Sequence, residues 1–203
     1  MITIVDYGVG NLFSLKSSFA CVSAEVTVTG DPDQVLRADR IILPGVGAFG
    51  DAAEKLRKLS LDDALRQAAR RGTPLMGICL GMQLLFDESQ EYGVHPGLSL
   101  IPGRVIGMKG RIPPDLKIPH IGWNALHFTG KKSPLMKNVR AGECVYFVHS
   151  YYAAECESAV IATAEYGLEL TAAVEKDNVS GCQFHPEKSG RVGLGILKAF
   201  CEL

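Results

Sequence analysis

The hydrophobic pattern of this chain switches between short solid apolar runs and runs of helical period. Residues 1–6, Met-Ile-Thr-Ile-Val-Asp, read as a buried strand. Gly8-Val9-Gly10-Asn11 interrupts it. Asn11 can cap a helix, and Leu12, Leu15, Phe19 and Val22 then recur at helical spacing. Short strands are predicted at Glu25–Thr29 and Arg40–Leu43, the second stopped by Pro44-Gly45-Val46-Gly47. A helix is predicted over 61–71, capped by Ser60, with Leu61, Ala64, Leu65 and Ala68 on one face. Arg70 and Arg71 suit its negative end and Gly72 stops it. The strand Pro74–Ile78 leads into a helix from Leu80 that carries Met82, Leu84 and Leu85. Strands and helices alternating in this way predict a parallel α/β sheet.

The second half changes character. Gly and Pro punctuate residues 93–119, and Arg111-Ile112-Pro113-Pro114 reads as an irregular loop. Strands are predicted at about 121–128, 143–148, 158–165, 168–176 and 179–184, the last two joined by a turn at Asp177-Asn178. A closing helix spans roughly 191–202, with Val192, Ile196, Ala199 and Phe200 inward. The expected fold is α/β: an open, mostly parallel central sheet flanked by helices, followed by an antiparallel strand-rich half. No repeat or linker divides residues 1–203, so a single domain is expected.

Composition narrows the classes of function. The chain has 203 residues, 47% of them hydrophobic and 21% charged, an ordinary globular balance. The net charge of −1 and the lack of a dense basic stripe give no sign of a nucleic-acid partner. No apolar run approaches the ~18–20 residues that span a bilayer. Residues 1–6 lack the basic start of a secretory signal, and the six cysteines show no C-x-x-C spacing. The expectation is a cytoplasmic chain with reduced thiols, five of them small apolar fillers.

The sixth thiol is different. Cys79 lies within Gly77-Ile78-Cys79-Leu80-Gly81, directly after a strand. A nucleophile on a sharp strand-to-helix turn needs small residues two positions away on either side, as in the nucleophile elbow of serine hydrolases. The turn lifts the sulfur to the carboxyl edge of the sheet, and a helix start there favours thiolate over thiol. Downstream, a strand delivers His185, followed by Pro186 and Glu187. Residues i and i+2 face the same way in extended chain, so Glu187 can orient the imidazole. Cys79, His185 and Glu187 therefore form a candidate nucleophile, base and orienting carboxylate. The two glycines of Pro44–Gly47 let backbone amides turn into a cleft, which makes Val46 and Gly47, with Leu80, candidate oxyanion donors.

Gly77-Ile78-Cys79-Leu80-Gly81-Met82-Gln83, Pro44-Gly45-Val46-Gly47 and Gln183-Phe184-His185-Pro186-Glu187 together resemble the class I (triad) glutamine amidotransferases, in the family's order and across nearly the whole chain. Ile4–Leu12, Pro119–Asn124 and Tyr146–Tyr151 are similar to the branch whose glutaminase serves histidine biosynthesis. The resemblance implies that Cys79 attacks glutamine to form a γ-glutamyl thioester, and that Gly47, Gln83, Glu91, Ser150 and Tyr151 contact the substrate. Glu91 would take the α-ammonium and residues 150–151 the α-carboxylate. It further implies a heterodimer with a (β/α)8-barrel cyclase that receives the ammonia, with Asn11, Trp123 and Lys188 on the shared face. Similar enzymes are sluggish until the synthase binds its ligand, which a backbone flip between two nearly equal peptide orientations in Pro44–Gly47 would explain. The resemblance calls for no metal and no cofactor. Another class I amidotransferase, serving anthranilate, carbamoyl phosphate or pyridoxal phosphate synthesis, is the nearest alternative. A cysteine peptidase or γ-glutamyl hydrolase on the same elbow, or a sensor thiol, would differ in product or in needing no base.

Overall fold

The computed structural model describes residues 1–203. Its first half contains strands β1 (Ile2–Val5), β2 (Val26–Thr29), β3 (Arg40–Leu43) and β4 (Leu75–Ile78), with helices α1 (Leu12–Cys21), α2 (Pro32–Leu36), α3 (Phe49–Lys58), α4 (Leu61–Arg70) and α5 (Leu80–Gln83). Ten strands follow: β5 (Glu88–Ser89), β6 (His95–Pro96), β7 (Arg104–Gly107), β8 (His120–Ala125), β9 (His127–Phe128), β10 (Cys144–His149), β11 (Tyr151–Ala154), β12 (Val160–Glu165), β13 (Glu169–Lys176) and β14 (Val179–Cys182). Helix α6 (Gly190–Cys201) closes the chain.

The central sheet runs β2-β1-β3-β4-β14-β13-β12-β9. Its first five strands are parallel and its last three antiparallel. Every residue of β1, β4 and β14 is buried. Burial along the whole length marks strands covered on both faces. One face packs Val5, Leu43, Phe49, Leu56 and Leu65 with α3 and α4; the other packs Ile4, Leu15, Phe19, Ile196 and Phe200 with α1 and α6. Two small sheets, β10-β8 and β11-β7-β5-β6, complete the second half.

Several expectations need correction. Ser60 does not cap α4 with its side chain; it takes a left-handed conformation, φ 56°, joining α3 to α4. Helix α3 was not predicted. Only Ala52, Ala53 and Leu56 join Phe49 on its buried face, so small alanines carry much of the contact and the apolar signal is thin. Helix α5 ends at Gln83 after one turn, and Leu84 and Leu85 are buried in the turns beyond it. The loop expected at Arg111–Pro114 lies outside any helix or strand, while β6 and β7, not predicted, form nearby among the Gly and Pro residues. The 121–128 strand is broken at Leu126, whose buried side chain separates β8 from β9. All six cysteines are free, but Cys21 and Cys144 are exposed, so they are not core fillers.

Candidate active site

The parallel strands β3, β4 and β14 end side by side, and a cavity of about 560 Å³ opens beyond their carboxyl ends. This is where open α/β sheets hold small molecules, and the volume suits one. Cys79 follows β4 immediately. Its φ of 54° is a conformation that L residues rarely adopt and that costs of order 1–3 kcal/mol. The neighbouring glycines explain how it is tolerated. A Cβ on Gly77 would lie 2.5 Å from Gly81 O, and one on Gly81 would lie 1.8 Å from Leu43 O. The backbone doubles back with no room for side chains. Because α5 is a single turn, its dipole is too short to act strongly on the sulfur. Its first amide, Leu80 N–H, has no intrahelical acceptor and remains available at the cavity wall.

His185 emerges just past β14, held by a 2.9 Å bond from its N–H to Tyr146 O. Its Nδ1 lies 2.8 Å from Glu187 Oε1, and both side chains are almost fully buried. Burial pulls the imidazolium down, but the Cys79 sulfur and the Glu187 carboxylate outweigh it and raise His185 to about 9. The imidazolium form of His185 is therefore favoured at neutral pH, ready to give a proton to a leaving group.

The Val46 and Gly47 amides make no hydrogen bond within the chain. The loop around them is pinned at both ends. Tyr7 donates its hydroxyl to Pro44 O at 2.7 Å, and Phe49 N–H donates to Glu91 Oε2 at 2.6 Å. A Cβ on Gly45 would meet Tyr7 Oη at 2.7 Å, whereas one on Gly47 would meet nothing within 4 Å. Freedom in this loop is confined to Val46–Gly47.

Every oxyanion and substrate candidate lines the cavity, together with Cys79, His185 and Lys188. Asn11, Trp123 and Glu187 do not. Two candidates carry duties beyond those expected. Glu91 holds the start of α3 through one oxygen, and Gln83 donates from Nε2 to Tyr151 O and to Gln183 Oε1. Trp123 is 58% exposed, which excludes a core role, and stacks edge-on at 6.1 Å from Tyr146. Lys188 Nζ stands 5.9 Å from the centre of that same ring. Asn11 caps α1 by accepting from Ser14 N–H.

Sequence reasoning assigned no role to Gln183, His149, His120 or Tyr7. For Gln183 a signal existed: it precedes His185 by two residues in extended chain and so faces the same side. His149 Nδ1 lies 2.8 Å from Tyr151 O, which can only accept, so this nitrogen carries the proton. His149 Nε2 then accepts from His120 Nδ1 at 3.1 Å.

These histidines predict a pH profile. His149 is held down at about 3, chiefly by burial, with the bond to Tyr151 opposing and the charges of His120 and His185 adding. An unfolded His titrates near ~6.5, so between about 3 and 6.5 the unfolded state binds the extra proton and stability falls as pH falls. His185 has the opposite sign. Its contribution, roughly 3 kcal/mol at about 1.4 kcal/mol per unit, is full below ~6.5 and is lost as pH rises through about 9. Unfolding midpoints in urea should peak near neutrality, and His185→Gln should flatten the alkaline limb. A wild-type midpoint constant from neutral pH to beyond 9 would contradict this.

A thiol and a carboxylate-paired histidine in a cavity at the carboxyl edge of the sheet define a site for nucleophilic catalysis. The family model for class-I glutamine amidotransferases matches residues 3–202, and the chain belongs to that family. It is similar to the imidazole glycerol phosphate synthase subunit HisH of Methanothermobacter thermautotrophicus, with 50% identity over 204 residues covering 100% of this chain and 98% of that one. The protein of the same name from Syntrophotalea carbinolica is 47% identical over 207 residues and 100% of both chains. Among solved structures, a glutamine amidotransferase aligns with TM-score 0.77 at 18% identity, covering 100% of this chain and 98% of that one. PurLQS from Thermotoga maritima aligns with TM-score 0.75 at 20% identity, covering 99% and 97%. At those identities the structures speak for the fold alone.

Proposed function

We propose that this chain is the glutaminase subunit of an imidazole glycerol phosphate synthase, working in the cytoplasm with a (β/α)8-barrel cyclase. The observation that carries the reading is the meeting of Cys79 and His185 in one cavity at the ends of adjacent strands, with Glu187 bonded behind His185. The Cys79 thiolate attacks the side-chain carbonyl carbon of glutamine. The oxyanion that forms is held by the Leu80 N–H and by a Val46 or Gly47 N–H. His185, as imidazolium, gives its proton to the departing amine, and ammonia leaves a γ-glutamyl thioester. Neutral His185 then takes a proton from water, whose oxygen attacks the thioester. The C–S bond breaks with its electron pair returning to sulfur, and glutamate departs. Glu187 keeps the proton of His185 on Nδ1 so that Nε2 does the transfers.

Ammonia must reach its acceptor before bulk water protonates it, so the partner covers the cavity mouth. Lys188, Tyr146 and exposed Trp123 form a continuous patch beside that mouth and suit such a face. The free carboxylate oxygen of Glu91 takes the α-ammonium of the substrate, while Gly47, Ser150 and Tyr151, which line the same cavity, meet the rest of it. The test is glutamine hydrolysis by the purified chain alone, with the cyclase subunit, and with subunit and nucleotide ligand. Stoichiometric ammonia and glutamate, with a rate that rises on adding partner and ligand, are expected. Equal rates in all three conditions would reject the switch at Val46–Gly47, and no hydrolysis in any of them would reject the glutaminase.

A further inference from the structure

The carboxamide of Gln183 is fully buried between Gln83 and Cys79. Oxygen and nitrogen of a carboxamide are assigned from the hydrogen-bond network, and here the network starts at a group without ambiguity. The Tyr151 carbonyl can only accept, and it lies 3.1 Å from Gln83 Nε2. Gln83 must therefore turn its NH2 group that way. The same nitrogen stands 2.9 Å from Gln183 Oε1 and donates its second hydrogen there. Gln183 is left with its oxygen toward Gln83 and its NH2 group on the far side, where Cys79 Sγ lies 3.7 Å away. Flipping Gln83 would set oxygen against the Tyr151 carbonyl. Flipping Gln183 alone would set two NH2 groups against each other. A backbone carbonyl two side chains away thus dictates that the sulfur faces a donor.

We infer that Gln183 is a positioning residue for the nucleophile: its side-chain N–H holds the Cys79 sulfur toward the cavity and stabilises it whenever it carries the free electron pair. The inference rests on the glutaminase reading and deepens it. An N–H···S bond is strongest to a thiolate and weaker to a thioester sulfur, because charge strengthens the hydrogen bond. It therefore acts at two moments: before attack, and when the C–S bond of the second tetrahedral intermediate breaks and its electron pair returns to sulfur. At that second moment the proton of the attacking water is on His185, so no further acid or oxidant is required. The main-chain N–H of Cys79 donates to Cys182 O at 2.8 Å, so the backbone beneath the sulfur is already fixed. What remains to be set is the direction of the side chain, and Gln183 contacts it.

The experiment compares wild type with Gln183→Met, which removes the donor, and Gln183→Glu, which keeps an acceptor for Gln83. Glutamine kinetics are read on the complex with the cyclase subunit. Alkylation of Cys79 by iodoacetamide at neutral pH is followed in parallel by peptide mass spectrometry, which separates it from exposed Cys21 and Cys144. Loss of one charge-assisted bond predicts a fall of about tenfold in kcat in both variants, with KM nearly unchanged and Cys79 alkylation slowed by about the same factor. Wild-type alkylation in Gln183→Met, or full kcat in Gln183→Glu beside a damaged Gln183→Met, would overturn the inference and leave Gln183 as a spacer for Gln83. Should both variants fail to fold, the wild-type chain decides. One Gln183 side-chain N–H resonance must shift when Cys79 is alkylated, and an unmoved pair of resonances overturns the proposal. The alkylation and resonance readouts need no glutamine, so a complex without glutaminase activity would sink the function while Gln183 was still being judged.

Discussion

Cys79→Ser should lower ammonia release from glutamine by on the order of 10⁴-fold or more, with the chain folded and still bound to its partner. Serine fits the same rotamer space, and the φ of 54° at this position penalises both residues alike. What disappears is the sulfur nucleophile beside a histidine whose imidazolium form is favoured. No other thiol can substitute. Cys182 is the nearest in chain position to the base, but burial, the Glu187 carboxylate and Cys79 itself push its thiol well above its ordinary range. Cys156 is likewise pushed up, to about 11, chiefly by burial. Ammonia release and intact-mass detection of the thioester check the expectation. Retention of more than about one per cent of wild-type turnover would place the nucleophile elsewhere.

Gly81→Ala should be the most damaging change of a single methyl group. The added carbon would stand 1.8 Å from Leu43 O and 2.8 Å from Leu43 C, and no flexible side chain is available to yield. Either β3 or the elbow must move. Overpacking of this kind costs about 1–3 kcal/mol, and a backbone clash belongs at the upper end. The functional loss should exceed the loss of stability. Leu43 leads directly into Pro44–Gly47, so relief of the clash displaces the candidate oxyanion amides relative to the sulfur. A shift of about 1 Å in such a site costs on the order of 10²-fold. Calorimetry and turnover on the same preparation separate the two effects. A variant with wild-type kcat would mean that the elbow and the loop are not in register for catalysis.

The parts of the fold that could be read from the chain were those written in solid apolar runs. β1, β3 and β4 matched their runs to within a residue or two, because strands buried on both faces leave no other reading. Helix α4 was legible through Leu61, Ala64, Leu65 and Ala68, whereas α3, with alanines at two of its four buried positions, was not. β7 was hidden among Gly and Pro residues, since its pairing with β11 depends on partners more than forty positions away. The candidate site divides in the same manner. Cys79 and Glu187 carry local signals: small neighbours in one case, spacing from a histidine in the other. The duties of Glu91 and Gln83 were not legible, because each is set by a carbonyl or an amide from a distant segment.

Strands β4 and β14 are direct neighbours, paired from Leu75 with Val179 to Ile78 with Cys182. Nucleophile and base therefore ride on one rigid plate, although more than a hundred residues separate them. No modest motion can part them, and an idle form of this enzyme would still hold sulfur and imidazole in reach of each other. Dormancy would then have to come from a single rotated amide at Val46–Gly47. Such an enzyme at rest would remain open to any electrophile that needs no oxyanion support, so irreversible inhibitors of that kind should titrate it whether or not its partner has switched it on.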